Sequence, residues 1–147
     1  MNFPEGHMDL YLTEIGEPSD KKLRIVVAEA FLEEPSPLEI DNINLGNSWP
    51  IVVTNESRFF ELNWDDYVAY VVRNESFWQA EPQEPQMTKN FYRRVNSAFL
   101  QFVSTTTFAD DYYPEPLQHW ALSVLNHCVD VVSVQPPRIG LIKAKGC

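Results

Sequence analysis

Arg58-Phe59-Phe60-Glu61-Leu62-Asn63-Trp64-Asp65-Asp66-Tyr67-Val68-Ala69-Tyr70-Val71-Val72-Arg73-Asn74-Glu75 is the stretch that decides the fold. Phe60, Leu62 and Trp64 alternate in it with Glu61 and Asn63, the period of two that gives a strand one face for a core and one for water. After the two aspartates, the run from Tyr67 to Val72 is aromatic and β-branched, a composition that suits a pleated surface. Asp65 and Asp66 between two such runs predict a tight hairpin turn or, if the strand is continuous, a bulge.

The same signal recurs on both sides. Leu23 through Ala28 to Phe31 reads as a strand bounded by Pro18-Ser19-Asp20 and by Pro35 and Pro37. Leu10 to Ile15 reads as a weaker one, with Leu10, Leu12 and Glu14 in one phase and Tyr11, Thr13 and Ile15 in the other. Leu38, Ile40, Ile43 and Leu45 change phase between Ile40 and Ile43, which predicts a bulge or bend. Residues 79–86 are rich in Glu, Gln and Pro and read as an exposed loop, followed by a strand through Asn90 and Arg93. Near the end, Trp120, Leu122 and Val124 alternate with Ala121, Ser123 and Leu125. Val129 to Val134 is β-branched, and Asn126 and His127 form the turn of a second hairpin.

One segment has the helical period. Phe99, Leu100, Phe102 and Val103 form an apolar stripe from Ser97 to about Thr107, with Asn96 or Ser97 as N-cap. Thr105, Thr106 and Thr107 lower helix propensity, so fraying is expected there. The expected fold class is therefore α+β: a mainly antiparallel β-sheet, open or curled into a half or closed barrel, with one main helix at about 97–107 on one face. At 147 residues, 44% of them hydrophobic, the chain reads as a single globular domain over 1–147. Residues 1–8 and 138–147 are expected to be flexible ends.

The formal net charge of -10 disfavours nucleic acid and anionic membrane as partners and favours a basic protein surface. Two cysteines, Cys128 and Cys147, are too few for a disulfide framework and point to a reducing compartment. The N-terminal residues have neither the positive nor the apolar region of a signal peptide, and no apolar stretch reaches membrane-spanning length. The expected setting is cytoplasmic. Asn55-Glu56-Ser57 and Asn74-Glu75-Ser76 match the glycosylation pattern but read as turns.

Candidate chemistry is sparse. With five glycines there is no phosphate-cradling loop, and none of the common hydrolase, metalloprotease, dithiol or calcium motifs is present. No catalytic residue, cofactor or metal is predicted. His119, His127, Cys128 and Asp130 are ligand types, but a strand of this length sets its ends roughly 20 Å or more apart at the usual rise per residue. Asp130 stands out because it interrupts a β-branched run with a carboxylate, and an unpaired buried charge is costly. It reads either as a pocket residue, with His119 and His127 beside it, or as a carboxylate neutralised by Arg73, Arg93 or Arg94. Asp110, Asp111, Tyr112, Tyr113 and Glu115 combine acid with aromatic contact area, the mixture of a partner-binding loop. Of the tryptophans, Trp64 and Trp120 read as core, while Trp49 and Trp78 are left as candidates to line a groove.

The block from Trp64 to Ser76, with Ala98-Phe99-Leu100-Gln101-Phe102-Val103, Thr107-Phe108-Ala109, His119-Trp120 and Leu125 to Ser133, resembles a block recurring in small uncharacterised bacterial proteins. It covers roughly the last two-thirds of the chain. The resemblance implies a neighbour of toxin systems, an immunity protein that neutralises a basic toxin by binding it, and it carries over no catalytic residue. The expected function is thus non-enzymatic binding of a basic protein, with homodimerisation through open strand edges allowed. The competing expectation is a small-molecule binder or enzyme with Asp130 in a pocket.

Overall fold

The computed structural model describes residues 3, 9–32, 36–41, 43–48, 51–79, 90–108 and 116–142. In chain order the strands are β1 (Leu10–Gly16), β2 (Leu23–Glu29), β3 (Phe31–Leu32), β4 (Ser36–Ile40), β5 (Ile43–Ser48), β6 (Ile51–Val52), β7 (Phe59–Trp64), β8 (Tyr67–Asn74), β9 (Phe91–Arg94), β10 (Gln118–Ser123), β11 (His127–Ser133) and β12 (Arg138–Ile142). The helix α1 (Ala98–Thr106) lies between β9 and β10. The fold is α+β and mainly antiparallel, as the residue pattern predicts, but it does not close into a barrel. One four-stranded sheet runs β1-β2-β7-β12, a second runs β8-β11-β10-β9, and β3-β6 and β4-β5 are two-stranded.

The inner faces of the two large sheets share one core. Leu10, Leu12, Leu23, Ile25, Val27, Phe60, Leu62 and Trp64 come from the first sheet, and Leu122, Val129 and Val131 from the second. Register makes this possible: Leu23 pairs with Trp64, Ile25 with Leu62 and Val27 with Phe60, so each cross-strand pair on that face is apolar. Phe91 stacks on Trp120 at 5.8 Å between ring centroids, and Phe3 packs against both Phe60 and Phe91. Fully burying a side chain of this size contributes about 1.5–3 kcal/mol.

Asp65 and Asp66 make neither a hairpin turn nor a bulge in one strand. β7 pairs with β2 and β12, whereas β8 pairs with β11, so the aspartates are the corner at which the chain crosses from one sheet to the other. Both runs thereby reach the shared core, β7 through Phe60, Leu62 and Trp64 and β8 through the partly buried Tyr67 and Tyr70. β1 contains a bulge between Leu12 and Glu14, which reverses the phase expected there. Ile15 packs toward the core, and Glu14 turns out to meet Arg24. The phase change after Ile40 is a reversal at Asp41, where φ is +52° and β4 turns back to pair with β5. At the other end, residues 138–142 are not a loose tail. They form β12, paired with β7 from Arg138 opposite Asn63 to Ile142 opposite Phe59.

Both glycosylation-like triplets are local turns. Ser57 accepts the Thr54 amide at 2.9 Å, and Asn74 caps a short 3-10 turn over Glu75–Phe77. The helix packs on the outer face of the second sheet. Val103 is fully buried there with Leu117 and Val132, and Phe99 and Leu100 lie against them. At its threonine end the hydroxyl groups bond back to the helix: Thr105 and Thr106 donate to the Phe102 carbonyl, Thr107 to that of Val103.

Candidate functional site

β11 is buried on both faces, because the sandwich core covers one and α1 the other. Val129 and Val131 point inward, so Cys128, Asp130 and Val132 point toward the helix side. Asp130 is paired in register with Ala121 on one side and Val71 on the other. Its diagonal neighbours are His119 on β10 and Arg73 on β8, within reach of long side chains. Both take the carboxylate. His119 Nε2 lies 2.6 Å from Asp130 Oδ1, and an Arg73 guanidinium nitrogen donates to Oδ2 at 2.5 Å.

The chain of contacts continues to the helix. Ser97 is the N-cap, its Oγ accepting the Leu100 amide at 3.1 Å, and the same hydroxyl lies 2.5 Å from His119 Nδ1. Asn96, at φ +54°, is the left-handed residue that turns the chain into this cap rather than the cap itself. Phe99 covers the imidazole edge-on at 5.4 Å.

The donors and acceptors of this relay can be matched one to one. When the His119 Nε2–H donates to Asp130, Nδ1 accepts the Ser97 hydroxyl proton and Ser97 Oγ still accepts from Leu100. Every group is then satisfied. Burial pushes the Asp130 carboxyl up, but His119 and Arg73 outweigh it and hold Asp130 below the usual carboxylate range.

Ser, His and Asp in a line invite comparison with a hydrolytic triad, and the geometry differs from one. In the triad, the serine lies on Nε2 and the aspartate on Nδ1, and the nucleophile faces the substrate. Here the two nitrogens are exchanged, Ser97 and His119 are 1% and 0% exposed, and the Ser97 oxygen is committed to capping α1. What reaches solvent is the far end of the relay, the Arg73 side chain, 43% exposed.

Arg73 borders two adjoining cavities between β8 and the first turns of α1. The larger, about 450 Å³, is mostly apolar, with Tyr70, Val71 and Phe102 in its lining. The smaller, about 290 Å³, is bordered by Phe77, Trp78 and Arg94. Arg73, Ala98 and Phe99 belong to both.

Of the residues singled out from the sequence, His119 and Asp130 are brought together and His127 is not. His127 is three positions from Asp130 on the same strand, hence on the opposite face, and its buried Nδ1 has no hydrogen-bond partner among the described residues. Burial pushes the Cys128 thiol up, which makes it a poor nucleophile. Among the described residues no three His, Cys, Asp or Glu side chains gather as a metal site would require. Trp64 is core, Trp120 lies against it, and Trp78 lines the smaller cavity. Asp110, Asp111, Tyr112, Tyr113 and Glu115 lie outside the described residues, as does Trp49.

Sequence reading missed Ser97 as a member of the cluster and saw it only as a cap. The available signal was that a buried His and a buried Asp on paired strands need an outer partner each. No helix among the described residues is long and apolar enough to cross a membrane. No family model, curated protein or solved structure matches the chain.

Proposed function

We propose that this chain is a binding protein without covalent chemistry, and that its working surface is the groove between β8 and α1. One observation carries the reading. A sealed relay from Ser97 through His119 and Asp130 fixes one nitrogen of Arg73 and leaves the rest of an exposed guanidinium at the junction of two cavities. Buried polar networks that are fully satisfied rigidify what they hold, and a preorganised arginine loses less entropy on binding. A largely apolar cavity of a few hundred Å³ with one placed polar group is the usual form of a small-molecule site.

The test is a thermal-shift screen of small metabolites on the intact protein, followed by residue-resolved chemical-shift mapping of the hits. Binding in the groove predicts perturbed resonances at Ala69, Arg73, Phe99 and Phe102. A screen whose hits all map elsewhere would remove the reading.

A second reading is favoured by the net charge of -10 and by Phe108, 98% exposed at the end of α1 just before the acidic segment at 110–115. In it the chain neutralises a basic protein, as the resemblance to neighbours of bacterial toxin systems implies. Acid and exposed aromatics together fit such a partner electrostatically and in contact area. Co-purification from the source cell, with a complex that weakens as salt rises, distinguishes it. Asp110→Lys and Asp111→Lys are expected to weaken that complex and to leave groove binding unchanged.

A further inference from the structure

We infer that the groove takes an amphipathic monocarboxylate, an aliphatic or arylalkyl acid whose carboxylate sits on Arg73 and whose apolar body lies along α1; this rests on the binding reading above. The molecule itself shows what an arginine does on this scaffold when it is fully used. Arg24, on the first sheet, bridges two carboxylates, Glu14 through one terminal nitrogen and Glu61 through Nε, both at 2.6 Å. Arg73 has the first half of that arrangement, Asp130 at 2.5 Å on one terminal nitrogen. A guanidinium carries five N–H donors in a planar fork, and Asp130 is held by one of its terminal nitrogens. The donors not used by Asp130 belong to a side chain that borders both cavities. A second carboxylate is the group that matches that fork in shape and charge.

The apolar half of the ligand follows from what surrounds the arginine. The larger cavity runs from Arg73 past Ala98 and Phe99 to Phe102, which is 58% exposed although it is a large aromatic. Exposed apolar surface that a ligand can cover favours its binding in proportion to the area removed from water. A purely polar anion such as phosphate would leave that lobe wet, and a neutral hydrocarbon would leave the guanidinium donors unused. An acid with an alkyl or arylalkyl chain satisfies both.

The experiment uses isothermal titration and chemical-shift mapping of the full chain with octanoate, octanamide and octylamine. Octanoate is expected to bind with shifts at Arg73 and Phe102, and octanamide at least about tenfold more weakly, since an amide offers the guanidinium one neutral acceptor where a carboxylate offers two charged ones. Octylamine is expected not to bind in the groove. Equal affinity for octanoate and octanamide, mapped to the groove, would overturn the carboxylate assignment and leave the binding reading standing. No groove shifts with any of the three, alongside hits of another chemistry in the groove, would do the same. No groove binder of any kind would end both.

Arg73→Gln is expected to lower octanoate affinity about tenfold or more. Because that change also touches Asp130, Phe102→Glu serves as a second variant: it sits on the exposed side of α1, puts a like charge in the apolar lobe, and is expected to abolish octanoate binding with the fold retained by circular dichroism. Unchanged octanoate affinity in Phe102→Glu would overturn the placement of the apolar body.

Discussion

The two large sheets use the same ionic partners on their outer faces and put them to different work. The first sheet's outer face meets water, and its charges form a lattice: Arg24 between Glu14 and Glu61, Arg58 on Glu29, and Asp65 between Lys22 and Arg138. The second sheet's outer face lies under α1, and there the pair of Arg73 with Asp130 is the end of a buried relay. Exposed pairs are screened by salt and contribute about 0–1 kcal/mol each. A buried charge stripped of a partner costs several times that. The difference shows that an arginine and a carboxylate in contact say little until it is known what covers them.

The sharpest way to break the comparison is Asp130→Ala. It leaves the His119 Nε2–H without an acceptor in a site closed to water, and it frees Arg73, which turns to solvent. Breaking a buried pair costs about 3–5 kcal/mol, and the exposure of Arg73 places this case near the lower end, about 3 kcal/mol. Urea unfolding measures it. A loss below about 1 kcal/mol would put the relay on a par with the surface lattice.

Ser97→Ala comes next. It removes the N-cap of α1 and the hydroxyl on His119 Nδ1 in one step. A lost cap costs about 1 kcal/mol, and an orphaned buried acceptor about as much again, so roughly 2 kcal/mol is expected. Ser97 and Asp130 share a network, so the double variant is expected to lose less than the sum of the two. Strict additivity would mean that His119 does not couple them.

Acid sharpens the contrast further. Asp130 is held below the ordinary carboxylate range in the native state, so its contribution is present above the unfolded-state value and is lost as pH falls through the depressed native one. Glu29, Glu61 and Asp65 are lowered as well, mainly by their hydrogen bonds to Arg58, Arg24 and Arg138, and act in the same direction from the solvent-exposed sheet. Urea midpoints taken from neutral pH down past about pH 4 should therefore fall, and fall less in Asp130→Asn, whose amide does not titrate. High salt should remove the surface part of the decline and keep the Asp130 part. Equal slopes for the wild type and Asp130→Asn would show that Asp130 is not depressed.

The two faces also differ in how far they could be read from sequence. β7 was legible because one face is wet: Phe60, Leu62 and Trp64 are buried and Glu61 and Asn63 are not. β11 was legible as a strand from its β-branched run, but alternation says nothing about which face does what when helix and core bury both. Asp130 was recognisable as a residue needing a partner, and Arg73 was among those named. That Ser97 would complete the cluster was not legible, since the contact is made only when α1 folds over the sheet, 22 residues before His119 in sequence. The β1 bulge and the corner at Asp65-Asp66 are decided by tertiary packing, the one by the phase of Ile15 against the core, the other by which sheet β8 joins. Local propensity carries neither.

Arg24→Gln is the smallest expected effect and tests the other side of the comparison. It removes the cation between Glu14 and Glu61, which then face one another with only an amide between them, so the loss includes some repulsion as well as two hydrogen bonds. All three side chains are about one-third exposed, water replaces the lost partner, and the cost should stay at about 1 kcal/mol or less. It should shrink toward zero in high salt, where the two carboxylates are screened from each other. The relay variants should keep their full cost under the same salt, because no ion reaches Asp130 and His119. If Arg24→Gln proved as costly as Asp130→Ala and as indifferent to salt, the charged lattice would have to be treated as buried structure. The distinction between a wet face and a covered face would then disappear.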